Sequence, residues 1–405
     1  MFDIYSTQQN SSSNKIEGLL FLEELLKINS QTSNFHGVNE VQNKLGEKLS
    51  SLGFSVSLIE NELGLSGKLL YAEKRGRSSE RMTFIGHADT VCSPNEGNPF
   101  IVDFNRKQVS GAGVGDDKGS LVMALLALEK FILFNPNHYH TLTFISSPCE
   151  EMGSIGFHSL FRKIGLESSM VLGLEPALFN GSLINSRNGN RWYNIHIHGK
   201  ATHAGRFGEP FVNAAHCAGE FISKIHQLND IDKKIKVNVG SIQSTNDKYN
   251  VTCDHVEIKL DVRFPTLEVR DSLDQAIRSL LLNTSIECFY TTQVCFHSVE
   301  IVDDCPPMAE SESALNLIET YRNLLSQYED TPCSIQHSGG AADINYFARP
   351  GLLTLDGLGP ITKGMHTKNE VMDLQSFYSR QYALCDLLNY LEKKKNQFYG
   401  EENEH

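Results

Sequence analysis

Apolar residues recur at three- and four-residue spacing at Val38, Val41, Leu45, Leu49 and Leu52, and Gly53 follows. That is the buried stripe of an amphipathic helix, closed by a glycine just past its end. Upstream, Ile16 to Ile28 carries enough Leu and Phe for a packed helix, while residues 6–14, with three consecutive serines, read as a loose arm. Three short apolar runs have the character of buried strands: Met82 to Ile85, Thr141 to Ser146 and Ser169 to Leu174. Each runs directly into polar residues, namely Gly86-His87-Ala88-Asp89, Ser147-Pro148-Cys149-Glu150-Glu151 and Glu175-Pro176. An apolar helix from Leu121 to Phe134 separates the first two. Strands alternating with helices predict a largely parallel sheet, and such sheets carry their chemistry at the strands' carboxyl ends.

From about residue 190 the rhythm changes. Tyr193 to His198 alternates strictly, Val212 to Leu228 is helical, and alternating runs follow at Lys236–Ile242 and His255–Phe264. A helix from Leu267 to Leu282 and a strand from Ile286 to Val299 complete a β-α-β-β-α-β order, the ferredoxin-like arrangement. Residues 190–303 therefore read as an inserted domain. Residues 311–328 form a helix, Gly351 to Leu355 a strand, and Leu374 to Leu391 a closing helix before a charged tail at 393–405. The host domain thus comprises residues 1–189 and 304–405, an α/β fold with a mixed, largely parallel sheet.

Composition narrows the function. At 405 residues the chain exceeds what one core usually supports. No apolar run approaches the roughly 18 residues of a membrane span. A net charge of −13, with Lys and Arg scattered singly, argues against nucleic acid as a partner. The N-terminus lacks the pattern of a signal peptide, so a cytoplasmic location is expected. Nine cysteines without a Cys-x-x-Cys pair fit reduced thiols.

The chemistry gathers at the strand ends: His87, Asp116, Glu150, Glu151 and Glu175, joined late in the chain by His366. Taken alone, Glu150-Glu151 is a solvated acidic turn, and a buried histidine is more often a hydrogen-bonded structural residue. Together, nitrogen and oxygen ligands without thiolate suit zinc, with cobalt or manganese as substitutes, and their number implies two ions. Adjacent carboxylates on a turning backbone diverge, so one can bind a cation while the other moves protons. The glycines of Ser110-Gly111-Ala112-Gly113-Val114-Gly115-Asp116-Asp117-Lys118-Gly119 match no phosphate-loop pattern, because acids stand where backbone N–H groups would meet an anion. A cation is the expected guest.

Taken in order, His-x-Asp after a strand, Asp-x-Lys-Gly before a helix, Glu-Glu-x-Gly, a strand-ending Glu-Pro and a late His resemble the dizinc exopeptidase and deacylase family. It includes glutamate carboxypeptidase, acetylornithine deacetylase, succinyl-diaminopimelate desuccinylase and aminoacylase. The resemblance covers nearly the whole chain and implies that Asp116 bridges two zinc ions, with His87 and Glu175 completing one and Glu151 and His366 the other. It implies Glu150 as general base and Asp89 as the group that orients His87. In the insert, a lid and dimerisation domain in this family, the resemblance gives His203 a place in a neighbouring subunit's oxyanion site, and Asn250 and Arg263 a hold on the substrate carboxylate. A homodimer acting on a peptide or N-acyl amino acid is expected. Ser338 to Asp343 and Asp356 to Pro360 look most like the glutamate carboxypeptidase branch; a deacylase or a dipeptidase is the alternative, and a non-catalytic dimeric binding protein on this fold a remote one. Two departures stand out: Gly111-Ala112-Gly113 in place of the Gly-Arg-Gly of the deacetylase and desuccinylase, and Cys149 in place of the usual Asp. A thiol-protease role for Cys149 is a competing reading with no dedicated histidine partner.

Overall fold

The structure, a computed structural model, describes residues 17–94, 97–284, 292–329 and 333–402, the last five through their backbone. The arm expected at 6–14, the first part of the strand expected from Ile286 and the end of the tail lie outside the described residues. The chain divides into two compact units: Met1–Asn185, Glu310–His337 and Ala342–His405 form one, and Ser186–Ala309 with Ser338–Ala341 the other.

The first unit is built on a six-stranded sheet in the order Ser55–Ile59, Leu69–Lys74, Thr141–Ser147, Arg81–His87, Ser168–Gly173, Leu353–Leu355. The last four run parallel, and the first two are attached antiparallel, so the sheet is mixed. Thr141–Ser147 is buried at every residue, which explains its lack of polar alternation. In the predicted helix Phe35–Ser51, Asn34 caps the amide of Gly37 and Val38, Val41, Leu45 and Leu49 face the core. Gly53, at φ 84°, takes the left-handed turn that ends it.

The central helix spans Lys118–Phe134, starting three residues earlier than its apolar run suggests, and is buried on all sides from Lys118 to Leu128. Its residues share one core with Phe84, Phe144 and Leu172 of the sheet and with Phe377, Leu384 and Leu388 of the last helix. The polar Lys118-Gly119-Ser120 reads as loop in sequence, yet all three are buried helix. Lys118 Nζ donates to the carbonyls of Leu25 and Ile28, both at 3.0 Å, at the carboxyl end of the helix over 17–26. A cation there complements the helix dipole, and burial pushes its pKa down to about 7. The closing helix, Leu374–Glu402, continues past Leu391 because ion pairs hold the expected tail: Arg77 to Glu392 at 2.9 Å and Lys395 to Glu80 at 2.6 Å.

The second unit has the ferredoxin-like order and connection. Its antiparallel sheet runs Lys236–Gln243, His255–Phe264, Gly189–His198, Phe296–Cys305. Tyr193, Ile195, Ile197, Val256, Ile258 and Leu260 point into a core with Phe221 and Ile225 of the helix Ala214–Ile225 and Leu273 and Ile277 of the helix Leu267–Asn283. The last strand is Phe296–Cys305, several residues beyond the position read from sequence. It is an edge strand with Phe296, Ile301 and Val302 exposed, so its apolar residues do not alternate cleanly. Among the described residues no helix is long and apolar enough to cross a membrane.

The Lys118 tie fixes the start of the central helix and hence the Asp116 loop. Lys118→Met keeps most of the stem's volume but removes both hydrogen bonds, and should lower stability by about 1–3 kcal/mol. Urea unfolding followed by circular dichroism reads this directly; an unchanged midpoint would mean that the tie contributes nothing.

Candidate metal centre

Parallel register brings the strand ends level: His87 pairs with Ser147, and Ile85 with Gly173. His87 ends its strand, Glu150 and Glu151 occupy a single tight turn just past Ser147, and Glu175 lies two residues beyond Gly173. Asp116 arrives from the loop before the central helix. His87 Nε2 lies 3.0 Å from Asp116 Oδ1 and 3.8 Å from Glu175 Oε1. His366 Nε2 lies 3.1 Å from Asp116 Oδ2 and 3.2 Å from Glu151 Oε2. The two oxygens of Asp116 thus face different imidazoles, each with its own glutamate. Two overlapping groups bring their donor atoms within 4.8 Å of one another: His87 with Glu150 and Glu175, and His87 with Asp116 and Glu151.

Supporting groups hold these donors. Asp89 Oδ1 lies 3.3 Å from His87 Nδ1 and accepts the amide of Glu150 at 3.0 Å. Its Oδ2 accepts the amide of Glu151 at 3.3 Å and the Thr32 hydroxyl at 2.7 Å. One buried carboxylate therefore orients the imidazole and pins the Glu-Glu turn. Because the Asp89 carbonyl, 3.0 Å from Nδ1, is also an acceptor, the ring proton is assigned to Nδ1 and the Nε2 lone pair is left for an ion.

The glycine loop departs from the sequence reading. Its backbone N–H groups do form an anion cradle, and the guest is internal: the buried Glu370 carboxylate accepts from Gly113 at 2.8 Å, Gly115 at 2.9 Å and Asp116 at 3.1 Å. Gly115 is required by space, since a Cβ there would stand 1.9 Å from Thr362 Oγ1. Glu370 was not legible in sequence because nothing in its neighbours marks it as buried. Asp343, buried and pushed up to about 6 by burial, adds a further acid whose charge reaches both His87 and Glu150. Its signal in sequence was its place at the end of Ser338 to Asp343, a segment read for its resemblance and not as part of the site.

The electrostatics fit cations. Burial, then the charge of Glu175, raises Glu150 well above the carboxylate range, and burial raises Glu151. Burial likewise raises Asp117, with Glu175 and Asp116 adding to it. Hydrogen bonds to Asp116 and Glu151 lift His366 to about 10, and His87 is raised by Asp116 and Asp89 against the opposing effect of its burial. Asp116, despite burial, is lowered by the two histidines. Crowded acids that share protons with imidazoles are a donor set in need of positive charge, and carboxylates with imidazoles suit zinc, cobalt or manganese. Cys149 is buried and its thiol is pushed up to about 12 by burial, so the thiolate that a cysteine nucleophile needs is not formed near neutral pH.

Three predicted residues belong to the second unit. His203 Nε2 lies 3.3 Å from Asn250 Nδ2, and His203 Nδ1 accepts the Gly205 amide at 3.0 Å. Arg263 is not brought to this pair; its Nε donates to Asp261 at 2.9 Å on its own strand.

Glu370→Gln would aim an amide, or at best a neutral carbonyl, at three N–H donors. By the roughly 10–100-fold loss typical when a group behind a metal ligand is removed, metal affinity should fall on that scale. Competition with a fluorescent chelator measures it; unaltered affinity would separate the cradle from metal binding.

Known proteins share features of this sequence and fold. Residues 185–287 match the model of the peptidase dimerisation domain of the M20 family. Carboxypeptidase G2 of Pseudomonas sp. (strain RS-16) is 24% identical over 371 residues, covering 91% of this chain and 87% of that protein. A tripeptidase from Staphylococcus aureus subsp. aureus Mu50 superimposes with a TM-score of 0.78 at 21% identity, over 94% of this chain and 99% of its own. A dinuclear metal binding peptidase of the M20 family from Bacillus subtilis gives 0.66 at 13% identity, over 94% and 99%. The chain thus carries a segment like the M20 peptidase dimerisation domain, is similar along nearly its full length to carboxypeptidase G2, and shares the fold of M20 metallopeptidases.

Proposed function

We propose that the protein is a two-metal hydrolase that cleaves the amide bond next to a C-terminal amino acid, releasing that amino acid from a peptidyl or N-acyl substrate. The observation that carries this is Asp116, whose two oxygens face His87 and His366 separately. In this reading His87, Glu175 and Asp116 hold one ion, and Glu151, His366 and Asp116 the other. Ions bound there, zinc by the donor set, would supply Lewis acidity and would lower the pKa of the attacking water from ~16 toward ~7.

Glu150 is the proton carrier. Its carboxyl group is buried beside Glu175 with a raised pKa, which suits a base that takes a proton from water and returns it to the leaving amine. Asp89 keeps the His87 ring in the required tautomer. His203 is the further donor to the developing oxyanion, its ring held between the Gly205 amide at Nδ1 and the Asn250 side chain at Nε2. Arg263 and Asn250 take the substrate carboxylate, Arg263 exchanging its contact with Asp261 for a bidentate one. The carboxypeptidase specificity is supported by the similarity to carboxypeptidase G2, and the pairing of chains into a homodimer by the dimerisation domain.

Glu150→Gln should abolish turnover and keep both ions, because the amide retains the shape and cannot carry the proton; Glu151→Gln should instead weaken one ion. Metal content by plasma mass spectrometry and release of free amino acid from a panel of dipeptides, tripeptides and N-acyl amino acids test both. Wild-type turnover in Glu150→Gln would overturn the assignment, and metal-loaded protein inert across the panel would favour a binding role.

His203→Ala should lower turnover by about 10²–10³-fold without loss of metal. If the residue serves a second subunit, mixing His203→Ala with Glu150→Gln protein under subunit exchange should restore part of the activity. No recovery after confirmed exchange would confine His203 to its own chain or exclude it from catalysis.

A further inference from the structure

The second unit holds a group of imidazoles that the catalytic reading does not use. His196 and His198 alternate with the buried Ile195 and Ile197 along Gly189–His198, so they leave the sheet on the face away from the two helices. On the neighbouring strand His255 stands directly opposite His198, and Glu257 opposite His196. His196 Nδ1 lies 3.4 Å from His255 Nε2. The His198 ring centre is 4.9 Å from that of His255 and 6.3 Å from that of His196, and Phe296 closes the row 5.7 Å from His198. All three histidines are half-buried.

The 3.4 Å spacing has chemical content. Two imidazole nitrogens bound at ~2.0–2.1 Å to one tetrahedral ion stand about 3.4 Å apart, so this pair already spans the edge of such a coordination polyhedron. Paired backbone strands fix the Cβ positions from which the rings project, so little ordering is needed. Burial and the two neighbouring imidazoles lower the pKa of His198, which favours the neutral, ligating form. Nitrogen donors with an adjacent carboxylate select zinc, copper or nickel over magnesium or calcium.

We propose that His196 and His255, with His198 as third nitrogen donor and Glu257 beside them, bind a divalent first-row transition ion on the open face of this sheet, in a site built wholly from the second unit. It is additional to the ions of the catalytic centre and independent of their assignment. The alternative use of the same contact is one imidazole–imidazole hydrogen bond within a stacked row, with no metal.

Cu²⁺ is the probe, added to enzyme carrying its full complement of catalytic zinc, with displaced zinc measured in the same sample. The expected result is one further equivalent of copper bound without zinc release, with nitrogen hyperfine splitting from imidazoles in its electron paramagnetic resonance spectrum. His196→Asn and His255→Asn should each weaken that binding by about 10-fold or more, as expected for direct ligands, and His198→Asn should leave a splitting pattern with one nitrogen fewer. Turnover of the zinc enzyme should be unchanged in all three. No additional copper, copper bound only as zinc is released, or equal binding by the His196→Asn/His255→Asn protein would overturn the proposal and leave the hydrogen-bonded row.

Discussion

Buried negative charge is the constraint on which the catalytic unit depends. Asp89, Asp116, Asp117 and Asp343 are almost wholly buried, and Glu150, Glu151 and Glu175 are near them at the ends of adjacent parallel strands. An uncompensated carboxylate in such a place costs several kcal/mol. The cluster meets part of the cost through imidazoles at hydrogen-bond distance and backbone N–H groups aimed at oxygen, and burial still raises the pKa of Glu150, Glu151 and Asp117. Divalent ions would supply the remaining positive charge, so the electrostatics of the cluster support the proposed two-metal reading.

The donors come from segments far apart in the chain, and each segment is tied down by a polar group that binds no ion in this reading. Asp89 holds the Glu150-Glu151 turn through two amides. Glu370 holds the Asp116 loop through three. Lys118, directly after that loop, holds the end of an earlier helix. A ligand set held within a fraction of an ångström needs such backing, since loops alone do not supply the precision. The segment from Gly364 to Glu370 both presents His366 and supplies the anchor of Asp116, so displacing it would disturb both ends of the contact between them.

Much of this was legible. The strand ends were readable because burial of a whole strand leaves an apolar run and the polar residue that breaks it marks the carboxyl end, as at Ile85 to His87. The insert was readable from strict alternation, which in an antiparallel sheet with one covered face is a direct image of burial. Edge and cradle were harder. Phe296–Cys305 carries exposed apolar residues that blur its period, and Glu370 looks like any surface acid. Acids in the glycine loop also misled, since an anion cradle can be satisfied by a side chain from more than 250 residues along the chain, a pairing without local signature.

The insert shows how one period serves two ends. Placing Tyr193, Ile195 and Ile197 in the core obliges His196 and His198 to share the opposite face, and a one-residue slip would bury imidazoles among aliphatic side chains. The register that stabilises the core therefore also fixes the imidazole row. His203 is constrained in a different way. Its Nδ1 accepts the Gly205 amide and its Nε2 lies 3.3 Å from the Asn250 side-chain nitrogen, so two local contacts fix the orientation of the ring. A group of fixed orientation loses little freedom when it meets developing negative charge, so this local geometry suits the role proposed for His203.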